Sequence, residues 1–252
     1  MDEQLKENLK YLGLTRMAKV FDELALKAAE NGAQPADFAA ELVAEEAGAR
    51  RARAVERRIR HAGFPVVKTV DDFDWAEAPF LQRGLIEYLF RLDFVRERRN
   101  VVFIGSPGTG KTHLATALGH QPCVHGYTVL FGQAVDIVNG LAEAKAEGRY
   151  ADAMRRIRAP DLLVVDALGY LATDAHGADL FFQVVSARYE AGNMVLTSNL
   201  GYADWVKVFA GNKALTAAIL DRVCHNCTTV LTEGPSFRMR HRERDPKANN
   251  LR

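Results

Sequence analysis

The run Gly105-Ser106-Pro107-Gly108-Thr109-Gly110-Lys111-Thr112, followed by His113, fits the spacing G-x-x-x-x-G-K-[ST]. Phosphate binding is the chemistry of that spacing. Glycines 105, 108 and 110 let the backbone wrap closely, so that amide N–H groups and a helix N-terminus face negative charge. Lys111 offers a point charge to the β- and γ-phosphates, and Thr112 offers a hydroxyl to Mg²⁺. Residues 105–113 are therefore the candidate ATP-binding stretch. A glycine-rich turn can match by chance, but here an apolar run, NVVFIG (100–105), precedes the motif and a helical run, HLATALGH, follows it. That strand, loop and helix order is what the motif requires.

A second acidic feature is LLVVD, in which Asp166 closes an apolar run 55 residues after Lys111. A carboxylate there can hold the hydration shell of Mg²⁺, making Thr112 and Asp166 the candidate metal ligands. The next position is Ala167, where a nucleotide hydrolase carries a glutamate general base, a group worth typically ~10²–10⁴ in rate. Alanine accepts no proton, so the pattern predicts ATP binding with little turnover. Asn199 closes VLTSN and either orients an attacking water or is an ordinary strand-end residue. Cys224-His-Asn-Cys227 has the look of half a zinc site, but no second cysteine pair completes it, and helix-end packing is expected instead.

Two kinds of segment must position these groups. Residues 1–66 read as helices only. Leu5, Leu9 and Leu12 fall at helical spacing, Gly13 interrupts, Thr15 can cap, and Met17, Phe21 and Leu24 resume the stripe. Asn31-Gly32 ends that helix, Pro35 opens a longer one with Phe38, Leu42, Val55 and Ile59 on its apolar side, and Gly63-Phe64-Pro65 closes it. From residue 67 to 252 the texture changes to a nucleotide-binding domain with a basic tail. Five β-rich runs (100–105, 127–132, 161–166, 193–199 and 228–234) alternate with helical stretches at 111–125, 134–158 (broken near Gly148), 175–191 and 202–225 (broken near Gly211). Alternation of this kind predicts an α/β fold, a parallel five-stranded sheet covered on both faces. The residues left after the fifth run are mostly charged and too few for a separate C-terminal lid domain. Trp75 and Trp205 flank no basic cluster and read as packing residues.

Composition sets outer bounds. The chain has 252 residues, 48% of them hydrophobic, and a formal net charge of +1, so overall charge points to no polyanionic partner. Local charge is more informative: six arginines lie between Arg50 and Arg60 against one acid, Glu56. A second basic run, from Arg238 through Arg240, Arg242, Arg244, Lys247 and Arg252, reads as a solvated or mobile end, with nucleic-acid contact the alternative for both runs. Three cysteines fit a reducing cytoplasm, the N-terminus does not read as a secretory signal, and no run approaches the ~18 apolar residues of a membrane span. The expected location is cytoplasmic, without a membrane partner.

The runs NVVFIGSPGTGKTHLATALG, LLVVDALGYL, GADLFFQVVSARYE, VLTSNLGYADWVKVFAGN, ALTAAILDRV and SFRMR, with LKYLGLTRMAKVFDEL near the start, resemble the IstB-like helper ATPases of bacterial insertion sequences. These are relatives of the DnaC-type helicase loaders within the AAA+ class, and the likeness spans nearly the whole chain. It implies an AAA+ core, an oligomer with ATP between subunits, binding to duplex DNA without sequence specificity, and recruitment or activation of a cognate transposase. It assigns Asn199 a sensor role, makes Arg222 a candidate arginine finger reaching a neighbour's γ-phosphate, and makes Arg238 a candidate second sensor arginine. It also implies a DE pair where this chain has Asp166-Ala167; the alanine is read as introduced to trap the ATP-bound state or, less favoured, as native. Lys145, Arg149, Arg155, Arg156 and Arg158 fall where initiator-type relatives line a nucleic-acid channel. Together with Arg50, Arg51, Arg53 and Arg57 they are candidate phosphate contacts, the plain alternative being a solvated face. Two other functions fit the same core: a DnaC-type replicative helicase loader, and a DNA-coating module that uses nucleotide only to hold its shape.

Overall fold

A computed structural model describes residues 1–171, 173–189 and 191–244, the last four as helical backbone. Lys247 and Arg252 of the basic run lie outside the described residues. The chain divides into two compact units, Met1–Arg57 and Arg58–Arg252. The division falls inside a long helix, earlier than the 66/67 boundary expected from Gly63-Phe64-Pro65, because Ile59 and Ala62 pack into the core of the second unit.

The first unit is helical. Helix α1 (Glu3–Tyr11) is capped by Asp2, whose carboxylate accepts the N–H of Leu5 at 2.7 Å. Leu9 is the buried member of its stripe, and Leu12, beyond the last turn, is exposed. Helices α2 (Thr15–Glu30) and α3 (Pro35–Ala62) follow, with Gly13 (φ +68°) and Gly32 (φ +60°) at the reversals before each. Val20, Leu24 and Leu42 form a small core flanked by Met17, Phe21 and Phe38. Thr15 does not cap α2 as expected; it is the first helical residue, and the preceding Leu14 offers no side-chain acceptor. The buried carboxylate of Glu46, on α3, supplies the cap by accepting the N–H groups of Arg16 (2.8 Å) and Met17 (3.0 Å).

The second unit begins with the end of α3 and two short helices that alternation did not predict, α4 (Arg83–Leu89) and α5 (Asp93–Arg96). A five-stranded parallel sheet follows: β1 (Asn100–Ile104), β2 (Val129–Gln133), β3 (Leu162–Asp166), β4 (Asn193–Ser198) and β5 (Cys227–Leu231). Its order, β2-β3-β4-β1-β5, puts β4 in the middle, β1 beside it, and β2 and β5 on the edges. The covering helices are α6 (Lys111–Val124), α7 (Ala134–Ala146), α8 (Tyr150–Arg158), α9 (Ala175–Arg188), α10 (Trp205–Val208) and α11 (Lys213–Cys224). Helix α12 (Phe237–Arg244) comes last. The expected break near Gly211 is a reversal, with Ala210 and Gly211 both at positive φ.

Strand side chains alternate between two cores, as the period of an extended chain demands. Val102, Ile104, Leu163, Val165, Met194 and Leu196 face one, with Trp205 and the helices after β2; Val101, Phe103, Leu162, Val164 and Val195 face the other, with Leu114, Leu118 and the short helices α4 and α5. Arg188 fastens the entering ends of the central strands. Only 1% exposed, its guanidinium donates to the carbonyls of Arg158 (3.1 Å), Pro160 (2.6 Å), Asp161 (3.0 Å) and Asn193 (2.7 Å). Burial lowers its pKa to about 10. No helix among the described residues is long and apolar enough to cross a membrane.

Candidate functional site

The site lies where β1 and β3 run out, the side of a parallel sheet at which ligands bind. After Ile104 the chain turns through Gly108 (φ +81°) and Gly110 (φ +91°) into α6. These two glycines are required by contact as well as by φ. A Cβ on Gly110 would strike the ring of Phe73, and one on Gly108 would strike Ser236. Lys111 opens α6, only 9% exposed, and its ammonium donates to the carbonyl of Ser106 at 2.6 Å. Burial holds that ammonium below its usual range; Asp166 opposes the shift and Arg238 adds to it.

Thr112 donates to both carboxylate oxygens of Asp166, at 2.9 and 3.1 Å. Thr197 donates to the same carboxylate at 2.6 Å and accepts the N–H of Ala167 at 2.8 Å. A hydroxyl and a carboxylate in contact are hard oxygen donors, a set that suits Mg²⁺. Asn199 presents a buried side-chain oxygen with no hydrogen-bond partner among the described residues. Both Ala167 and Asn199 line the same cavity, of about 360 Å³.

The loop from Pro107 to His113 forms one wall of the cavity. His113 is fixed there by a 2.9 Å hydrogen bond with the carbonyl of Thr69 and an edge contact with Phe73. Residues that the sequence reading did not assign to the site line the rest: Asp72, Phe73, Glu77, Phe80, Tyr170, Thr197 and Phe237, with Arg240, read there only as part of the basic run. The aromatic run FDWAEAPF, on a stretch without helical periodicity, was the available signal for the first group. Arg238 also lines the cavity while remaining exposed, so the start of the basic run is solvated, as expected, and at the same time borders the site. Helix α12 is too short to be a domain, yet it carries that arginine into the site.

Arg222 lies elsewhere. Its guanidinium donates to the carbonyl of Ala218 (2.9 Å), stacks 4.8 Å over Phe182, and borders a second cavity beside Asn100 and Gly192. Those residues begin β1 and precede β4, so Arg222 occupies the opposite end of the sheet from the phosphate loop. The candidate phosphate contacts divide by unit. Arg50 and Arg53 are committed within the first: both pair with Glu46, at 3.0 and 3.1 Å, while Arg53 also donates to Thr15. Arg51 and Arg57 are exposed. In the second unit Lys145, Arg149, Arg155, Arg156 and Arg158 are all exposed on or beside α7 and α8, with Arg149 paired to Glu147 and Arg155 to Asp152. Burial raises the thiols of both Cys224 and Cys227, the latter to about 11.

Residues 7–245 match the family described as IstB-like ATP binding protein. The chain is 33% identical over 242 residues to a protein of Geobacillus stearothermophilus described as an ATP-binding protein of insertion sequence IS5376, covering 96% of each. It is 34% identical over 241 residues to one described for insertion sequence IS21 in Pseudomonas aeruginosa, covering 96% of this chain and 91% of that one. Among solved structures it is similar to AMPPCP-bound DnaA from Aquifex aeolicus, with a TM-score of 0.56 and 22% identity over 75% of this chain, spanning 57% of that one. It is similar also to DnaI, with a TM-score of 0.56 and 19% identity over 70% of this chain and 93% of that one.

Proposed function

The chain belongs to the IstB-like ATP-binding proteins of insertion sequences, and from that premise we propose that it is an ATP-dependent DNA-binding helper of transposition. In this reading ATP drives its assembly on duplex DNA without sequence specificity, and the assembly recruits or activates the transposase. The observation that carries the reading is the convergence of Lys111, Thr112, Asn199 and Arg238 on one cavity, with Asp166 hydrogen-bonded to Thr112 behind its wall and Arg222 at the far end of the sheet. Relatives a third identical and nearly coextensive are insertion-sequence proteins, which favours transposition over helicase loading.

Residues 105–113 would hold the phosphate chain, and Lys111, which donates to the Ser106 carbonyl, would turn its charge to the β- and γ-phosphates. Thr112 and Asp166 would hold Mg²⁺, which supplies neutralising charge between those phosphates. Thr197 also grips the Asp166 carboxylate, and Asn199, whose buried oxygen has no partner among the described residues, would orient the attacking water. Ala167 supplies no base, so the nucleotide is held rather than spent. Arg222 completes the site of a neighbouring subunit. Binding at a subunit junction stabilises the assembly by mass action. Lys145, Arg149, Arg155, Arg156 and Arg158, with Arg50, Arg51, Arg53 and Arg57, contact DNA phosphates; Arg50 and Arg53 do so only by sharing charge already committed to Glu46.

Calorimetry with ATP and Mg²⁺ should show uptake that Lys111→Ala abolishes, and light scattering on a short duplex should show larger particles with ATP than with ADP. Equal particle sizes with the two nucleotides would sink the gating of assembly by ATP.

A further inference from the structure

The segment after β5 is tied to the walls of the cavity by contacts of several kinds. Thr232, fully buried, donates its N–H to the carbonyl of Ile104 at 2.7 Å and sits 2.9 Å, hydroxyl to hydroxyl, from Thr109. Gly234 lies against the ring of Phe80, where a Cβ would not fit. The N–H of Phe237 donates to the carbonyl of Gly108 at 2.9 Å, within the phosphate loop. Arg240 then crosses to the opposite wall. Its Nη1 is 2.6 Å from Glu77 Oε2, and its Nη2 donates to the Glu77 carbonyl at 2.8 Å.

The Glu77 side of this contact is a fixed post. Asp74 accepts the N–H groups of Ala76 and Glu77, at 3.1 and 3.3 Å, and so holds the turn that presents the glutamate. The two side chains are 31% and 18% exposed, which screens their attraction less than an open surface would. Arg238, two residues before Arg240, points into the cavity that the segment spans, alongside Lys111. Two cations brought together repel until an anion lies between them. Closing the segment without a polyphosphate therefore costs free energy, and closing it over one recovers that cost.

We propose that residues 232–240 form a strap closed over the nucleotide, and that the Arg240–Glu77 ion pair is its clasp, a positioning pair that aims Arg238 at the phosphates. The proposal rests on the reading of this cavity as the ATP site. It gives the chain a cis-acting closure built from a single helix, and it makes nucleotide release depend on a pair that touches no phosphate.

The test is the release rate of a fluorescent N-methylanthraniloyl ATP, with Mg²⁺, chased from the full-length protein by unlabelled ATP. Glu77→Gln and Arg240→Gln should each speed release about tenfold, an ordinary size for coupled sites. Arg240→Lys keeps the charge but not the fork and should fall between. The charge-swapped double variant, Glu77→Arg with Arg240→Glu, should return release to within about threefold of the parent, a rescue that mere damage to folding does not produce. In an Arg238→Ala background, Glu77→Gln should have little further effect. Release at the parent rate in both single variants, or a swapped pair as fast as the singles, overturns the clasp. A parent that takes up no analogue, with Lys111→Ala indistinguishable from it, overturns the ATP reading and the strap together.

Discussion

Ala167 lies in the left-handed region (φ 62°, ψ 37°), which costs an L-residue roughly 1–2 kcal/mol. Its backbone is held there by the 2.8 Å bond from its N–H to Thr197, whose hydroxyl in turn grips Asp166. The position is thus fixed by its neighbours rather than by its own side chain, and a longer side chain inherits the same backbone. Ala167→Glu should place a carboxylate on the cavity wall that Asn199 shares, and steady-state phosphate release should rise about a hundredfold, the low end for a general base. Turnover that stays at background while ATP still binds would mean that Ala167 is not the site of the missing base.

Helix α2 starts on a carboxylate from another helix. The two N–H groups that Glu46 accepts belong to the first turn, where no intrahelical partner exists. Removal from water works against ionisation of Glu46, but the Met17 N–H, the Arg50 guanidinium and the Arg16 N–H outweigh it and hold the carboxyl below its ordinary range. A group depressed in the folded state stabilises above its unfolded value, about pH 4.3, and loses that contribution as pH falls through the folded one. The protection factors of the Val20 and Leu24 amides, which correct for the slower intrinsic exchange in acid, should therefore fall below about pH 4.3 in the parent, a loss that Glu46→Gln lacks. At neutral pH Glu46→Ala should speed the same amides by the equivalent of about 2 kcal/mol. Unchanged exchange would show that the cap contributes nothing to this unit. Glu46 was illegible in the sequence because its partners are 29 and 30 positions away and nothing in the local pattern announces them. The strands were legible for the opposite reason: runs such as LLVVD are buried on both faces, and their composition alone sets them apart. The phosphate loop, Asp166 and Asn199 followed from those strands, since each sits at or just past a strand end. Phe73, Phe80, Glu77 and Arg240 did not follow, because loops that pack onto a site by tertiary contact leave no period to read.

Across the whole molecule the candidate site residues sit at two ends of one sheet. Lys111 and Asp166 stand where strands finish, and Arg222 stands beside where they begin. One chain therefore does not bring Arg222 to its own phosphate loop, and the proposed finger acts only across a head-to-tail contact between copies. Carried on Ala167→Glu to allow hydrolysis, Lys111→Ala and Arg222→Ala should each be inactive alone. An equal mixture should recover about a quarter of full turnover, since half of the subunits keep the loop and half of their neighbours keep the finger. A mixture as dead as its parts would exclude a shared site. The buried guanidinium of Arg188 gives this arrangement a mechanical side. It rivets the last turn of α8, the lead-in to β3 and the first residue of β4 through their carbonyls. A tug on Arg155, Arg156 or Arg158 is then borne by the sheet instead of being lost in slack chain, and the stiff strand that receives it ends at Asp166.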